Sequence, residues 1–167
     1  SVFYLFRIII CAGTYGQNKR LDQSKALEQV LENTTDDTVK VRLYCDLAIK
    51  YRSFDPQKAE EKAILAYDAA LISGDKYSIS KAIVLFGNNR FYAGKYDEGL
   101  AFIDRAFEIL DADTLQIQNN SDRVNLQLAK VFAAYGTGYD FKSDYANSIK
   151  YYLKATNIFE HIKAPEG

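Results

Sequence analysis

Residues 80–111 constrain the chain more tightly than any other stretch, because they carry glycine inside two helical patterns. The first half, SKAIVLFGNNRFYAG, sets Ile83, Phe86, Gly87 and Phe91 near one helix face. The second, KYDEGLAFIDRAFEIL, does the same with Tyr96, Gly99, Leu100, Ile103, Phe107 and Leu110. A glycine inside a helix costs about 1 kcal/mol relative to alanine. Gly87 and Gly99 therefore make sense where two helix backbones approach so closely that a side chain would hold them apart. Gly94 lies between the patterns, where a helix C-terminus favours a residue that tolerates left-handed backbone. The stretch predicts an antiparallel helical hairpin.

The hairpin recurs. SDYANSIKYYLKA aligns with GKYDEGLAFIDRA, putting Tyr145 over Tyr96, Ser148 over Gly99 and Ala155 over Ala106; upstream, Gly136 replaces Gly87 and Tyr135 replaces Phe86. DPQKAEEKAILA places Ala59, Ala63 and Ala66 where the central unit has Gly99, Ile103 and Ala106, with Leu47 and Ala48 standing for Phe86 and Gly87. Forty residues separate Ala59 from Gly99, and forty-nine separate Gly99 from Ser148. Repeats of this length predict a solenoid of helix pairs.

The order Phe-Gly-x-x-x-Phe-Tyr-x-Gly-x-Tyr-x-x-Gly-Leu-x-x-Ile-x-x-Ala at 86–106 resembles the tetratricopeptide repeat (TPR). That family has small residues at the helix contacts and an alanine against the next repeat. The resemblance implies an all-α, TPR-like α–α superhelix, a right-handed solenoid of antiparallel helix pairs. It covers roughly residues 36–162. Two departures are the absence of Trp from the first core position and of a Pro closing each repeat. More narrowly, the run DDTVKVRLYCDLAIKYRSFDPQKAEEKAILAYDAALISGDK looks like the periplasmic repeat regions of Bacteroidetes-type signalling proteins. There such a region follows a signal peptide and precedes a membrane helix with a histidine kinase or DNA-binding output domain.

The expected organisation follows in order. Residues 1–17 are apolar at Val2–Phe6 and Ile8–Ile10, too short for the ~20 apolar residues that span a bilayer. They fit the end of a secretory signal peptide cleaved near Gly16, although Arg7 interrupts them; the alternative is an N-terminal apolar helix docked on the first repeat. Residues 18–35 form a capping half-repeat, whose helix carries Leu21, Ala26 or Lys25, Leu27, Val30 and Leu31 as its apolar stripe. Residues 36–75 form the first repeat, its second helix opened by Asp55-Pro56, a helix-start pair. Residues 76–112 form the second, 113–122 an insertion loop and 123–163 the third. Without Met, and with an N-terminus at Ser-Val-Phe-Tyr, the chain reads as a fragment whose output domain lies elsewhere.

The residues offer little chemistry. One His (His161) and two Cys (Cys11, Cys45) do not compose an ordinary zinc site, and neither a metal nor a cofactor is expected. Gly136-Thr137-Gly138 falls mid-helix in the repeat register, where it cannot act as a dinucleotide loop. A Cys11–Cys45 disulfide would require retention of residues 1–17. Asn33-x-Thr35 and Asn119-x-Ser121 match the glycosylation acceptor pattern without further support. A net charge of −1 leaves no electrostatic footprint for nucleic acid. No enzymatic activity is expected, and the membrane is expected to be met only through parts of a longer protein.

What remains is a binding surface. The family register implies groove-facing positions at Arg42, Cys45, Ile49 and Arg52 in the first repeat. In the second they are Lys81, Val84, Asn88 and Phe91, and in the third Lys130, Ala133, Thr137 and Asp140. Cations with an amide and an aromatic suit an extended peptide, since Asn pairs with backbone and Lys or Arg with carboxylates. The candidate ligand contacts are thus Arg42, Arg52, Lys81, Asn88, Phe91, Lys130 and Asp140. The family's carboxylate clamp finds only Lys130 in register, with Cys45, Ile49, Leu85 and Ala134 at its other positions, so no clamp is expected. Tyr96, Tyr145 and Tyr152 are expected to pack between helices rather than stack on sugars or bases. The preferred function is a protein- or peptide-binding module, with possible self-association, serving as the extracytoplasmic sensor of a larger signalling protein. The alternatives are a free-standing scaffold or assembly factor and a cytoplasmic peptide-binding regulator.

Overall fold

The computed structural model describes residues 21–110 and 121–163, and among them every regular element is a helix. α1 is helical over residues 21–32. There follow α2 (Asp37–Tyr51), α3 (Pro56–Ser73), α4 (Lys76–Tyr92), α5 (Tyr96–Ile109), α6 (Asp122–Phe141) and α7 (Tyr145–Lys163). The chain divides into two compact units, Ser1–Ala66 and Tyr67–Gly167, the division falling within α3. The signal-peptide segment 1–17 and nearly all of the insertion loop 113–122 lie outside the described residues.

In the first unit, Leu47, Tyr51 and Ala59 form a small core joined by Leu27, Leu31 and Phe54. Asp36 caps α2 by accepting from the backbone N–H groups of Thr38 and Val39. Asp55 accepts from the N–H of Lys58, and α3 starts at Pro56 as the dipeptide signals. Tyr51 donates its hydroxyl to Glu28 at 2.9 Å, tying α2 to α1, and Lys58 sits 4.9 Å over the Tyr51 ring. The stripe expected on α1 is corrected at three places: Leu21, the Lys25–Ala26 pair and Val30 are exposed, while Ser24 is fully buried. α1 turns its inner face about the line through Ser24, Leu27 and Leu31.

The second unit holds two well-defined hairpins, α4/α5 and α6/α7, and α6 packs against both α4 and α5. Gly87 and Gly99 face each other as their positions demand. A Cβ on Gly87 would stand 3.0 Å from the carbonyl oxygen of Gly99, and one on Gly99 would stand 2.9 Å from that of Gly87. In the second hairpin Gly136 receives the ring of Tyr152, and Ser148, buried, takes the Gly99 position. The core runs through Ile83, Phe91, Ile103, Leu128, Phe132 and Ile158.

Both hairpin turns close α-helices through the same two bonds. Gly94 N–H bonds to Phe91 O (3.0 Å) and Lys95 N–H to Arg90 O (2.9 Å); in the second hairpin, Ser143 N–H bonds to Asp140 O (2.8 Å) and Asp144 N–H to Tyr139 O (2.9 Å). Gly94 has φ 76°, and Ser143, at the equivalent position, has φ 60°. The second turn thus holds a non-glycine residue in left-handed backbone.

Candidate peptide-binding face

The residues singled out from the sequence separate into three groups. Phe91 is 1% exposed, and this corrects its place among the ligand contacts. Its ring lies against Gly99 of α5 and Gly138 of α6, filling the space their missing side chains leave, so no ligand reaches it. Cys45 and Val84 are likewise buried. In the first unit Arg42 is exposed on α2, with Ile49, 54% exposed, seven residues on; Arg52 follows α2 as its C-cap.

The remaining positions fall on α4 and α6. Lys81 and Asn88 are separated by two helical turns and share a face of α4; Lys130 and Thr137 bear the same relation on α6. The two helices run parallel. Gln127 Nε2 donates to Ser80 Oγ at 3.3 Å near their starts, and Gly138 meets Phe91 near their ends. Ser80 Oγ in turn donates to Ala106 O at 2.9 Å, a buried polar link that the apolar periodicity did not reveal.

Between the lysine and the amide or hydroxyl of each helix lie small or short side chains, Val84 on α4 and Ala133 on α6. The Lys81 and Lys130 ammoniums and the Asn88 amide form no hydrogen bond or ion pair with any described residue. Thr137 donates to Ala133 O at 3.0 Å, and its hydroxyl lies 3.1 Å from that of Tyr152. The Asp140 carboxylate, further along α6, is exposed and paired with no described residue. The arrangement offers cations at one end and neutral hydrogen-bonding groups two turns away, which suits a chain of backbone amides ending in or carrying carboxylates.

Away from this face the electrostatics hold the helices. Burial pushes the Asp75 carboxyl up, but the Ser78 hydroxyl and N–H and the Arg123 guanidinium outweigh it and hold Asp75 below the ordinary carboxylate range. Asp75 thereby caps α4 and ties it to α6. Burial, with the Asp104 carboxylate accepting from its hydroxyl at 2.6 Å, raises the Tyr135 pKa far above the usual phenol range. Tyr151 stacks on Tyr135 and Tyr139 with ring centroids 4.7 and 5.4 Å away.

The tyrosine expectation needs a further correction. Tyr96 does pack, stacked 5.9 Å from Phe141, and Tyr152 lays its ring on Gly136 of α6 although it is 40% exposed, but Tyr145 is 61% exposed. With it stand Ile149 and Leu153, 59% and 64% exposed, forming an apolar stripe on α7. The exposure of Tyr145 and Ile149 was not legible, because their counterparts on α5, Tyr96 and Leu100, are half-buried against α6.

Among the described residues no cluster of three or more His, Cys, Asp or Glu could hold a metal ion. No described helix is long and apolar enough to cross a membrane. Gly136 and Gly138 both lie inside α6. Comparison with protein-family models, curated proteins and solved structures finds no match to this chain.

Proposed function

We propose that the chain is a peptide-binding module built from TPR-type repeats, and that the α4–α6 face takes an extended acidic segment of a partner protein. The observation that carries this is the repeated pairing, on two parallel, directly packed helices, of a lysine that has no partner among the described residues with a polar group two turns on: Lys81 with Asn88, Lys130 with Thr137. A carboxylate on the peptide meets the ammoniums, and the Asn88 amide brackets a peptide unit with a donor and an acceptor. The TPR reading is supported by the shared register of the hairpins, in which Gly87 and Gly136, and Ala106 and Ala155, are buried at equivalent positions.

Selection of phage-displayed random dodecapeptides on the chain tests the site. Enriched peptides carry Asp or Glu, and the double variant Lys81→Glu, Lys130→Glu weakens binding at least about tenfold, two surface charge contacts of the order of 1 kcal/mol each. Peptides without acidic residues, or an affinity indifferent to both substitutions, refute it.

The wider role follows from the sequence resemblance: an extracytoplasmic sensor or interaction region of a larger signalling protein, in which peptide capture shifts helix packing and reaches an output domain. Its placement outside the cytoplasm rests on the apolar residues 1–17. Mass spectrometry of the mature N-terminus of the full gene product tests that part: cleavage near Gly16 supports it, and an intact N-terminus in the cytosol leaves a cytoplasmic peptide-binding regulator.

A further inference from the structure

One turn beyond Asn88, α4 ends in Tyr92, and one turn beyond Thr137, α6 ends in Phe141. Eleven residues make almost three whole turns, so Tyr92 shares the face of Lys81, and Phe141 that of Lys130. Because the helices run parallel, the face carries three rungs in order: two ammoniums, two neutral hydrogen-bonding groups and two aromatic rings. The rings of the last rung touch, Tyr92 meeting Phe141 edge-on with centroids 5.5 Å apart. Phe141 also stacks on Phe91 (6.3 Å) and Tyr96 (5.9 Å), which fix its ring from the core side. Yet Tyr92 is 61% exposed and Phe141 37%. The pair forms a held corner with an open apolar side.

We propose that this corner receives an aromatic side chain of the acidic partner peptide, so that the ligand is read by a carboxylate at the lysine rung and by a ring at the Tyr92–Phe141 rung. The inference rests on the peptide-binding reading of the α4–α6 face and adds the second determinant of its ligand. A ring fits the corner because aromatic side chains gain from offset and edge-on contacts beyond the area they bury. Cations already flank the corner in sequence, Lys142 paired to Asp97 at 2.6 Å and Arg90 to Glu98 at 3.8 Å, which favours a neutral ring over a guanidinium. The rungs also set a spacing. The lysine and aromatic rungs lie about 16 Å apart along the helices. An extended peptide rises about 3.3 Å per residue and turns alternate side chains to one face, so its carboxylate and ring fall four or six positions apart. The long, flexible lysine stems take up the remainder. A helix laid along the same face rises about 1.5 Å per residue and needs eleven positions between the two groups. The apolar side of a helix is disfavoured there, since it would bury two ammoniums without a partner. A second copy of the chain is a poor occupant for a related reason: among the described residues every regular element is a helix, and none offers an extended strand.

The test runs the phage-displayed random dodecapeptides against the full chain and, in parallel, against its Tyr92→Ser variant. Tyr92 is 61% exposed, so this substitution leaves the fold intact, which circular dichroism verifies. The expected peptides from the parent chain carry Asp or Glu with Phe, Tyr or Trp four or six positions away; those from Tyr92→Ser keep the acidic residue and lose the ring. A selected peptide, fluorescein-labelled and followed by anisotropy, should bind the parent chain about tenfold more weakly when its ring is replaced by Ala. The same replacement should make no further difference in the Tyr92→Ser chain, which marks the two rings as partners. Acidic peptides without a ring at a fixed spacing overturn this inference and leave the lysine site standing, whereas peptides without acidic residues overturn both. Arginine in place of the ring gives the corner to a cation and also overturns it. So does a spacing of eleven, which assigns the face to a helix, and so does a dimer in sedimentation that Tyr92→Ser converts to monomer, which assigns the corner to a second copy.

Discussion

The α4/α5 and α6/α7 hairpins are two executions of one plan, and they differ where neighbours differ. In the first, Gly87 and Gly99 bring the backbones together, Gly94 turns the chain, and the outward face lies under α6. In the second, Gly136 and Ser148 keep the contact, Ser143 makes the turn at φ 60°, and the outward face carries Tyr145, Ile149 and Leu153 in the open. The same register position can therefore be core in one copy and surface in the next. What decides it is whether another helix arrives.

The comparison breaks most visibly at the Phe91 and Tyr145 positions. Phe91→Ala empties a site at which the ring fills two glycine notches, and should cost about 4 kcal/mol in urea unfolding. Tyr145→Ala should change stability by less than about 0.5 kcal/mol, since the residue is largely solvated. Equal losses would mean that the second hairpin's face is covered in solution.

The backbone contact comes next. Gly99→Val drives a side chain towards the Gly87 carbonyl, which is backbone and cannot rotate away, and should cost about 2–3 kcal/mol. Ser148→Gly, at the equivalent position, should stay within about 1 kcal/mol, the ordinary helix penalty of glycine.

The turns differ by less and in opposite senses. Gly94→Ala should destabilise by about 1 kcal/mol, because alanine resists the left-handed backbone, whereas Ser143→Gly should stabilise by about 0.5–1 kcal/mol by relieving it.

Smallest is the acid response of the α4 cap. The folded pKa of Asp75 is depressed, so its contribution is present above the ordinary carboxylate pKa and is lost as pH falls through the folded value. Thermal stability should therefore fall below about pH 4, and Asp75→Asn should remove a share of that slope worth less than about 1 kcal/mol.

Much of the architecture was legible because helix ends are chemically marked. Asp55-Pro56, Gly74-Asp75 and Gly94 stand within a residue or two of observed boundaries, since capping and left-handed turns depend on local chemistry. The paired glycines likewise announced a close approach. Phe91 was misplaced for the opposite reason. Its burial depends on Gly138, on a different helix, and a register pattern cannot show that a distant glycine opens a notch for an aromatic ring. Tyr145 failed in the mirror sense, as its counterpart Tyr96 packs only because Phe141 arrives. The Ser80–Gln127 link was invisible, since its polar residues sit in a stripe that reads as core only when apolar. Lys81, Asn88 and Lys130 lie half-buried on α4 and α6.

The most direct test of the peptide-binding account is an amide chemical-shift map of the isotopically labelled chain titrated with a selected acidic peptide. The account predicts that the largest perturbations cluster on α4 and α6 around Lys81, Val84, Asn88, Lys130 and Thr137, and that they vanish in the Lys81→Glu, Lys130→Glu variant. Perturbations confined to α7, or persisting undiminished in that variant, would contradict it.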